Sequence, residues 1–433
     1  MKKALTFAKF VALVLAALML FGACSANRSK NNGSKNDPTD DPNAEPVYDP
    51  VEGYGLHIEK NGTVTLNGQI FYGYGTNWHG GFTMALGGTT ETRLSKFFEA
   101  LHEGKIPYIR VMMGVFYPNE VPQYVDRSER YFERMDRFVK LAEKYQIGII
   151  ASLMWNKGTF YEYCGEDLTK LGDPNAEGTK LAIKYAQEVV TRYKDSPAIW
   201  AWEVGNEGNL GVDLWPEHGP LHSSQMLCDY YDLIGNAIHQ IDSYRMISGG
   251  DGCPRPYSHS LRNGHGWEYE DDLEMTVDSL KYYNPGYLRA ASMHVYEYGD
   301  ADRFEMLVNA CKELKLACFV GEFGAGNYTA NNIKDALTPE ESPEEAEEQK
   351  CWNYVVDTLL KNDIQLATQW CFGRLTQQQD ATSIEVGMTG NAYQNVYQWE
   401  RLIQINNKFI EEGKNRSAEY WASATNLLYK GEE

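Results

Sequence analysis

The segment Ala198–Asn209, AIWAWEVGNEGN, is the stretch that decides the fold. Its first half is almost entirely apolar, which is typical of a strand that is buried on both faces within a parallel sheet. The apolar run gives way to Asn206 and Glu207, with Gly205 before them and Gly208 after them. Polar residues at this position belong either to an ordinary turn or to a functional site, and the other strands of the chain decide between the two.

Seven other short runs, rich in Val, Ile and aromatic residues, share this character. Amphipathic stretches with helical periodicity separate them, such as RLSKFFEALHEG from Arg93 and AIKYAQEVVTRYK from Ala182. This alternation predicts a parallel sheet with crossover helices. Eight such strands favour an α/β fold that closes on itself, the (β/α)8 TIM barrel, over an open doubly wound sheet. The seven runs begin at Phe71, Pro107, Ile147, Arg245, Ala290, Ala317 and Gln365.

The segments around the barrel strands also carry structural signals. IEKNGTVTLNGQIFY indicates a small N-terminal β-hairpin, with turns at Asn61-Gly62 and Asn67-Gly68, that could plug the bottom of the barrel. The chain from Asn391 onward is expected to be helical. The long stretches 209–225 and 250–278 are expected to be loop insertions at the C-terminal face of the barrel.

The N-terminal residues predict export. Residues 1–23 combine three Lys with an uncharged apolar run that is too short to span a membrane but suits a signal peptide. The run ends in LFGAC, which resembles the lipobox of bacterial lipoproteins, with Phe21 where Leu is usual. Cys24 is therefore the expected lipidation site, and simple cleavage or a retained anchor are the alternatives. Residues 24–50 are polar and predict a flexible tether, and residues 51–433 are the predicted catalytic barrel.

These features predict an exported bacterial lipoprotein that is anchored to a membrane at the cell surface or in the periplasm. The formal net charge of −20 argues against nucleic acid and other acidic polymers as partners. The 29 Tyr and 10 Trp serve either as large core side chains or as flat platforms for sugar rings. Composition does not distinguish these two uses, and it gives no prediction for the oligomeric state.

No metal site and no cofactor is predicted. The seven Cys that follow Cys24 show no metal-binding spacing and are expected to be buried free thiols, while any disulfide among them is left open. The glycine-rich stretch GYGTNWHGG differs from a phosphate-binding loop, because bulky residues fill the position of the third glycine. The acidic runs EYEDDLE and PEESPEEAEE are interpreted as a solvated loop and the start of a helix.

A TIM barrel makes a specific demand, because its active site lies at the C-terminal ends of the strands. Polar and aromatic residues at the predicted strand ends meet this demand. Individually, Arg110 could form a structural ion pair, His294 could belong to the core and Trp370 could fill the barrel. Together they indicate one site, composed of Arg110, Asn206, Glu207, His294, Tyr296, Glu322 and Trp370.

Glu207 and Glu322 are the candidate catalytic pair, since each follows an apolar strand that contains a glycine near its end. Cleavage of a glycosidic bond needs one acid to protonate the leaving oxygen and one carboxylate to attack the anomeric carbon. Arg110 and Tyr296 are expected to hold Glu322 ionised as the nucleophile, which leaves Glu207 as the acid and then the base. Carboxyl groups roughly 5–5.5 Å apart would give net retention of configuration.

The ordered set of residues resembles that of glycoside hydrolase family 5, the cellulase and mannanase family of retaining barrel enzymes. The family pattern has Arg on strand two, Asn-Glu on four, His-x-Tyr on six, Glu on seven and Trp on eight. The chain matches the pattern at all of these positions, in order. The resemblance covers essentially all of residues 51–433, and it implies hydrolysis of a neutral β-linked glycan with the seven residues in their family roles.

Within the family, RYKDSPAIWAWEVGNE and the strand-three ending SLMWN resemble the endo-β-1,4-mannanase branch. Two departures affect the choice of sugar. Gly208-Asn209 stands where Pro is usual after Asn-Glu, and Met154-Trp155-Asn156 replaces a His that many members have after strand three. The leading hypothesis is a lipid-anchored endo-β-1,4-mannanase. The alternatives are a cellulase or other β-glucanase, an exo-β-glycosidase or transglycosylase, and a non-catalytic glycan-binding lipoprotein.

Three other tryptophans are weaker candidates for sugar binding. Trp78, Trp155 and Trp267 could each stack on a sugar face, and each could equally be a packing residue. Trp78 and Trp155 are included in the predicted substrate site.

Overall fold

The computed structural model describes residues 53–114, 116–214, 222–325, 343–373, 385–386, 392–394 and 396–429. The predicted signal peptide, Cys24 and all of the polar segment 24–50 lie outside these ranges. No helix of the described part of the chain is both long and apolar enough to cross a membrane.

A three-stranded antiparallel sheet precedes the barrel and confirms the predicted hairpin. Asn67 and Gly68 connect its last two strands, and both have positive φ, as a tight hairpin turn requires. The backbone N–H of Val64 donates to the side chain of Gln365, which immediately precedes a barrel strand. The sheet therefore covers the N-terminal end of the barrel. Its strands are β1 (Leu56–Ile58), β2 (Val64–Leu66) and β3 (Gln69–Ile70).

Eight parallel strands form the closed barrel, and the predicted TIM barrel is confirmed. Each of the eight apolar runs contributes one strand, and strands that follow one another in the chain lie side by side. Their residues are buried because helices cover the outer face and side chains fill the interior. The strands are β4 (Gly73–Asn77), β5 (Tyr108–Met112), β6 (Gly148–Met154), β7 (Ile199–Gly205), β8 (Met246–Ser248), β9 (Ala290–Val295), β10 (Ala317–Phe323) and β11 (Leu366–Gln369).

Helices connect the strands and pack one apolar face against them. The helix at Ser128–Tyr145, for example, buries residues at i, i+3, i+4 and i+7, which are Met135, Phe138, Val139 and Ala142. The helices before the C-terminal tail are α1 (Gly81–Leu86), α2 (Glu91–Glu103), α3 (Glu120–Asp126), α4 (Ser128–Tyr145), α5 (Thr159–Tyr163), α6 (Glu177–Tyr193), α7 (Ser224–His239), α8 (Ser258–Arg262), α9 (Leu273–Tyr283), α10 (Tyr298–Leu314) and α11 (Pro343–Lys361).

The C-terminal tail is largely helical, as expected from its sequence. Helices α12 (Val396–Glu411) and α13 (Ser417–Tyr429) follow a short antiparallel pair, β12 (Glu385–Val386) and β13 (Ala392–Gln394). Asn406 of α12 exchanges two hydrogen bonds with the backbone of Tyr74, at 2.8 and 3.0 Å. Helix α12 is thereby fixed against the first barrel strand, β4.

A buried arginine, Arg245, connects the segments at the N-terminal ends of β7 and β8. The guanidinium of Arg245 donates to the carbonyls of Lys194, Ser196 and Ile199 and to the carboxylate of Asp242. Removing one partner from a buried ion pair of this kind destabilises a protein by about 3–5 kcal/mol. The network therefore contributes to fixing the two strands whose opposite ends carry the candidate site.

The seven cysteines after Cys24 all lie within the described residues, and none of them forms a disulfide. Cys311, Cys351 and Cys371 are buried, as expected for free thiols. The other four are partly buried, so the expectation of burial holds for them only in part.

Candidate active site

A fully buried guanidinium lies at the mouth of the barrel. Arg110 on β5 donates through Nε to Glu203 and through Nη1 to Glu322, both at 2.9 Å. Nη1 also donates to Asn77 at 3.0 Å, and Nη2 donates to Asn206 at 2.7 Å and lies 2.8 Å from Glu203. All three nitrogens of the guanidinium thus donate hydrogen bonds. Burial lowers the pKa of Arg110, but the carboxylates of Glu203 and Glu322 outweigh it and raise the pKa above its ordinary value.

Two of these partners, Asn77 and Glu203, were not identified from the sequence. Asn77 ends β4, and its Nδ2 donates to the carbonyl of Gly321 at 2.9 Å, which turns its Oδ1 toward Arg110. Glu203 is fully buried within β7. A carboxylate inside an apolar strand needs a cation, and this is the signal that could have identified Glu203. The structural ion pair considered for Arg110 therefore exists alongside its contacts with the candidate catalytic residues.

Glu322 on β10 is nearly inaccessible to water, with 4% of its surface exposed. Arg110 donates to its Oε1, and the hydroxyl of Tyr296 donates to its Oε2 at 2.5 Å. Burial raises the pKa of Glu322 above its ordinary value, and the positive charges of His294 and Arg110 offset only part of that effect. Both carboxylate oxygens are held, so the orientation of Glu322 is fixed.

Gly321 sets the position of Glu322. The register between β9 and β10 shifts at this glycine, so that Glu322 becomes the neighbour of His294. A Cβ at Gly321 would lie 2.7 Å from the hydroxyl oxygen of Ser292, which is closer than side-chain carbons pack. The absence of a side chain there allows β10 to approach β9 closely enough to align the two functional residues.

Glu207 occupies the turn directly after β7 and has a left-handed backbone, with a φ of 48°. Its N–H donates to the carbonyl of Gly250 at 2.7 Å. Gly250 also has a positive φ, and a Cβ there would lie 1.9 Å from the carbonyl oxygen of Gly205. The end of β8 therefore holds the turn, and the side chain of Glu207 is left 37% exposed at the barrel mouth.

His294 lies between the two carboxylates. Its Nδ1 is 2.9 Å from Glu207 Oε1 and 3.4 Å from Glu322 Oε2. One oxygen of each carboxylate and a ring nitrogen of His294 all lie within 4.8 Å of one another. This spacing fits the roughly 5–5.5 Å between the carboxyl groups of retaining glycosidases, and it is shorter than the roughly 6.5–9.5 Å of inverting ones.

The pKa shifts of the pair run opposite to those expected from the sequence. Burial would raise the pKa of Glu207, but the hydrogen bond and positive charge of His294 outweigh it, so the pKa lies below its ordinary value. Glu322, expected to have the lower pKa, is raised by its deeper burial. A sugar bound at the mouth would remove water from the exposed side of Glu207 and raise its pKa, which is the direction that an acid needs.

The same three side chains could be considered as ligands of a metal ion. His294 Nδ1 lies 2.9 Å from Glu207 Oε1 and 3.4 Å from Glu322 Oε2, and one donor atom from each of the three side chains lies within 4.8 Å of the others. Arg110 and Tyr296 already donate to both oxygens of Glu322, and the guanidinium repels a further cation. The arrangement fits proton transfer and nucleophilic attack better than it fits metal binding.

Two tryptophans lie next to this charged group. The guanidinium carbon of Arg110 is 4.6 Å from the ring centroid of Trp155. Trp370 is half-buried and stacks at 6.4 Å on Trp155 and at 4.8 Å on His79. The structure brings Trp155 and Trp370 to the site, and their contact with a sugar stays a prediction.

Trp78 requires a correction. Its indole is fully buried and packs against Phe97, Phe98, Phe138 and Phe372. These aromatic side chains belong to the packing around α2 and α4, so no face of Trp78 is available to a sugar. The physical reason is that the chain turns outward after Asn77, which directs the next side chain toward the helices.

Two further ionisable groups lie behind the turn of Glu207, and no motif in the sequence identifies them. Asp251 is buried, and its Oδ1 accepts from the hydroxyl of Tyr231 at 2.7 Å and from the N–H of Asn209 at 3.0 Å. Burial raises the pKa of Asp251 to about 7. Burial lowers the pKa of Lys157, while the charges of Asp251 and Glu207 act in the opposite direction.

The chain is similar to known proteins over most of the barrel. The family described as Cellulase (glycosyl hydrolase family 5) matches residues 66–374. The probable mannan endo-1,4-beta-mannosidase C of Aspergillus terreus is 36% identical over 133 residues, which cover 28% of this chain and 32% of that protein. The probable mannan endo-1,4-beta-mannosidase F of Aspergillus flavus is 24% identical over 225 residues, 47% of this chain and 44% of that protein. The matched part spans less than half the length of these curated relatives.

Among solved structures, the glycoside hydrolase family 5 mannosidase from Rhizomucor miehei has a TM-score of 0.59 at 14% sequence identity. The match covers 83% of this chain and 99% of that chain. At this identity the likeness concerns the fold alone, and it agrees with the closed barrel described above.

Replacing Tyr296 by Phe is expected to raise the pKa of Glu322 further. The phenol donates to Glu322 Oε2, and a donor that favours the ionised carboxylate lowers its pKa, so its loss shifts the pKa upward. A carbon-13 NMR titration of the labelled Glu322 carboxyl measures the change.

The matched control is Tyr354→Phe, because the hydroxyl of Tyr354 donates to Asp302 at the surface and not to Glu322. The control should leave the pKa of Glu322 where it is. A Tyr296→Phe variant in which this pKa is unchanged or lower would show that the phenol does not stabilise the carboxylate.

Proposed function

Because the chain belongs to glycosyl hydrolase family 5, we propose that it hydrolyses internal β-1,4 linkages of a β-mannan with net retention of configuration. The observation that carries the proposal is the placement of Glu207 and Glu322, whose oxygens lie within 4.8 Å of each other at the barrel mouth. A pair at this spacing suits a double displacement through a covalent sugar–enzyme intermediate.

In the first displacement, Glu322 is the nucleophile. One of its oxygens bonds to the anomeric carbon while the bond from that carbon to the leaving oxygen breaks. Protonated Glu207 transfers its proton to the leaving oxygen, which departs as an alcohol. The assignment follows from the contacts: Arg110 and Tyr296 hold Glu322 in one orientation, whereas Glu207 is exposed to the leaving group.

In the second displacement, Glu207 acts as the base. It takes a proton from water as the water oxygen bonds to the anomeric carbon, and the bond to Glu322 breaks. Arg110 favours this step because its positive charge stabilises the carboxylate that is released. Two successive inversions at the same carbon return the original configuration.

His294 can serve both protonation states of Glu207. Its Nδ1 lies at hydrogen-bond distance from Glu207 Oε1. A ring that carries its proton on Nδ1 donates to ionised Glu207, and a ring that carries it on Nε2 accepts from the protonated form. The imidazole can therefore keep Glu207 in place throughout the cycle.

The choice of a neutral β-mannan is supported by two observations. The curated relatives named above are mannan endo-1,4-beta-mannosidases, and the strongly negative net charge disfavours acidic polysaccharides. A β-glucan is the second candidate substrate, because the matching family is described as cellulase. Exo action and transglycosylation would use the same two carboxylates. Glycan binding without catalysis would not need both of them, so the presence of both carboxylates in contact with His294 favours catalysis.

We further propose that the enzyme is an exported lipoprotein whose Cys24 carries the lipid. The support is sequence alone, the LFGAC motif after an apolar run and the polar segment 24–50. Palmitate labelling in bacteria is expected to mark the full-length protein and not Cys24→Ala. Equal labelling of the variant would contradict the assignment of Cys24.

A hydrolysis screen over mannan, glucomannan, cellulose, xyloglucan and mixed-linkage glucan tests the proposed activity. Mannan and glucomannan are expected to be cleaved fastest, and proton NMR is expected to show the β-anomer as the first product. Glu322→Ala should lower the rate by on the order of 10⁴-fold or more, since no nucleophile remains, while the variant still binds the polysaccharide.

Three outcomes would count against parts of this account. Preferred cleavage of cellulose would move the substrate to a β-glucan. An α-anomer as the first product would exclude the double displacement. Full activity of Glu322→Ala would remove Glu322 from the mechanism.

A further inference from the structure

The loop between β8 and α9 exposes aromatic side chains that the catalytic pair does not use. Trp267 is 45% exposed and Tyr269 is 60% exposed. Both belong to the segment 264–269, which lines a surface cavity of about 620 Å³. Exposed aromatic residues grouped around a concave surface are a feature of binding sites.

Arg255 connects this loop to the turn that carries Glu207. Its guanidinium donates to the carbonyl of Leu210 at 3.2 Å and to the carbonyl of Val212 at 2.6 Å. The same guanidinium carbon lies 5.7 Å from the ring centroid of Trp267. One side chain thus contacts both the indole and the segment just after Glu207, which fixes the indole relative to the acid.

Further hydrogen bonds hold the loop at both ends. Asn209, two residues after Glu207, donates to the carbonyls of Gly252 and Cys253 at 3.2 and 3.1 Å and accepts from the N–H of Gly252 at 3.1 Å. At the other end, the buried carboxylate of Asp271 accepts from the N–H of His259 at 2.7 Å. A loop that is held in this way loses little conformational freedom when a ligand binds.

The exposed part of Trp267 suits an uncharged sugar. The ring of Tyr257 meets the indole at 62° and a centroid distance of 5.7 Å, which supports the indole and leaves part of its surface open. Indole surfaces pack well against the C–H groups of a pyranose ring. The exposed carboxylate of Glu268, next to Trp267 in the chain, disfavours sugars that carry a carboxylate.

We propose that Trp267, supported by Tyr257 and Arg255, is a binding site for the leaving-group part of a neutral glycan. We place the site on the leaving-group side of the cleaved bond because Glu207 protonates the leaving oxygen. The loop of Trp267 is fixed to the turn of Glu207 rather than to the strand of Glu322. The inference rests on the proposed function, since a leaving group exists only if the pair cleaves a glycosidic bond.

The test compares two substrates of the sugar that the polysaccharide screen identifies. One is a hexasaccharide, which has sugars on the leaving side, and the other is an aryl disaccharide, which has only a nitrophenol there. Trp267→Ala is expected to lower the ratio of kcat/KM for the hexasaccharide to kcat/KM for the aryl substrate by on the order of tenfold. Trp267→Phe, which keeps an aromatic face, should recover part of that ratio.

Tyr287→Ala is the matched control. Tyr287 is 44% exposed but lies three residues before β9, at the opposite end of the barrel, so its removal should leave the ratio at the wild-type value. Thermal melting of each variant shows whether it is folded, and Trp267→Phe carries the test if Trp267→Ala does not fold.

Each outcome separates the two proposals. If Trp267→Ala keeps the wild-type ratio, the proposal of a leaving-group site is wrong, although the enzyme is active. If Trp267→Ala does not fold, a wild-type ratio in Trp267→Phe leads to the same conclusion. If the wild-type protein cleaves neither substrate, the proposed function is wrong and the inference falls with it. A fall in the ratio that is specific to Trp267 supports the site.

Discussion

The buried charge of Arg110 is the constraint on which the barrel mouth depends. A guanidinium shut off from water costs several kcal/mol unless its donors are matched, and here all three of its nitrogens have acceptors. Glu203 supplies a carboxylate inside the barrel, and Glu322 supplies a second one closer to the opening. Arg110 fixes the position of Glu322, and its positive charge offsets part of the rise in the pKa of Glu322 that burial causes. The same interaction that stabilises the fold therefore fixes the orientation of the proposed nucleophile.

The two carboxylates differ because the chain presents them differently. Glu322 lies within a strand and is closed in by Tyr296 and Arg110, whereas Glu207 lies on a left-handed turn that reaches the opening. Burial raises the pKa of both carboxyls and His294 lowers the pKa of both, but the net shift is downward for Glu207 and upward for the more deeply buried Glu322. A substrate changes the exposure of Glu207 far more than that of Glu322, so its binding is expected to reverse the relative order of the two pKa values.

Sequence patterns were sufficient for the strands and for the placement of Glu207 and Glu322 together at the barrel mouth, because a buried parallel strand is an apolar run and polar residues follow its end. They were insufficient where an interaction joins distant strands. Nothing local in the chain indicates that Asn77 accepts from Arg110 or that Asp251 lies beneath the turn of Glu207. Trp78 illustrates the opposite error, since it follows a strand end like the site residues but points toward the helices. The direction of a side chain after a strand depends on the turn that follows.

The central claim is that Glu322 becomes covalently bound to the sugar during the reaction. In a 2-deoxy-2-fluoro glycoside, the fluorine slows both displacements, and a good leaving group restores the rate of the first. The covalent intermediate should therefore accumulate. Mass spectrometry of the intact protein and of its proteolytic peptides is the direct measurement. The account predicts a mass increase of one fluorosugar, located on the peptide that contains Glu322. A label on Glu207, or turnover of the reagent with no adduct on Glu322, would contradict it.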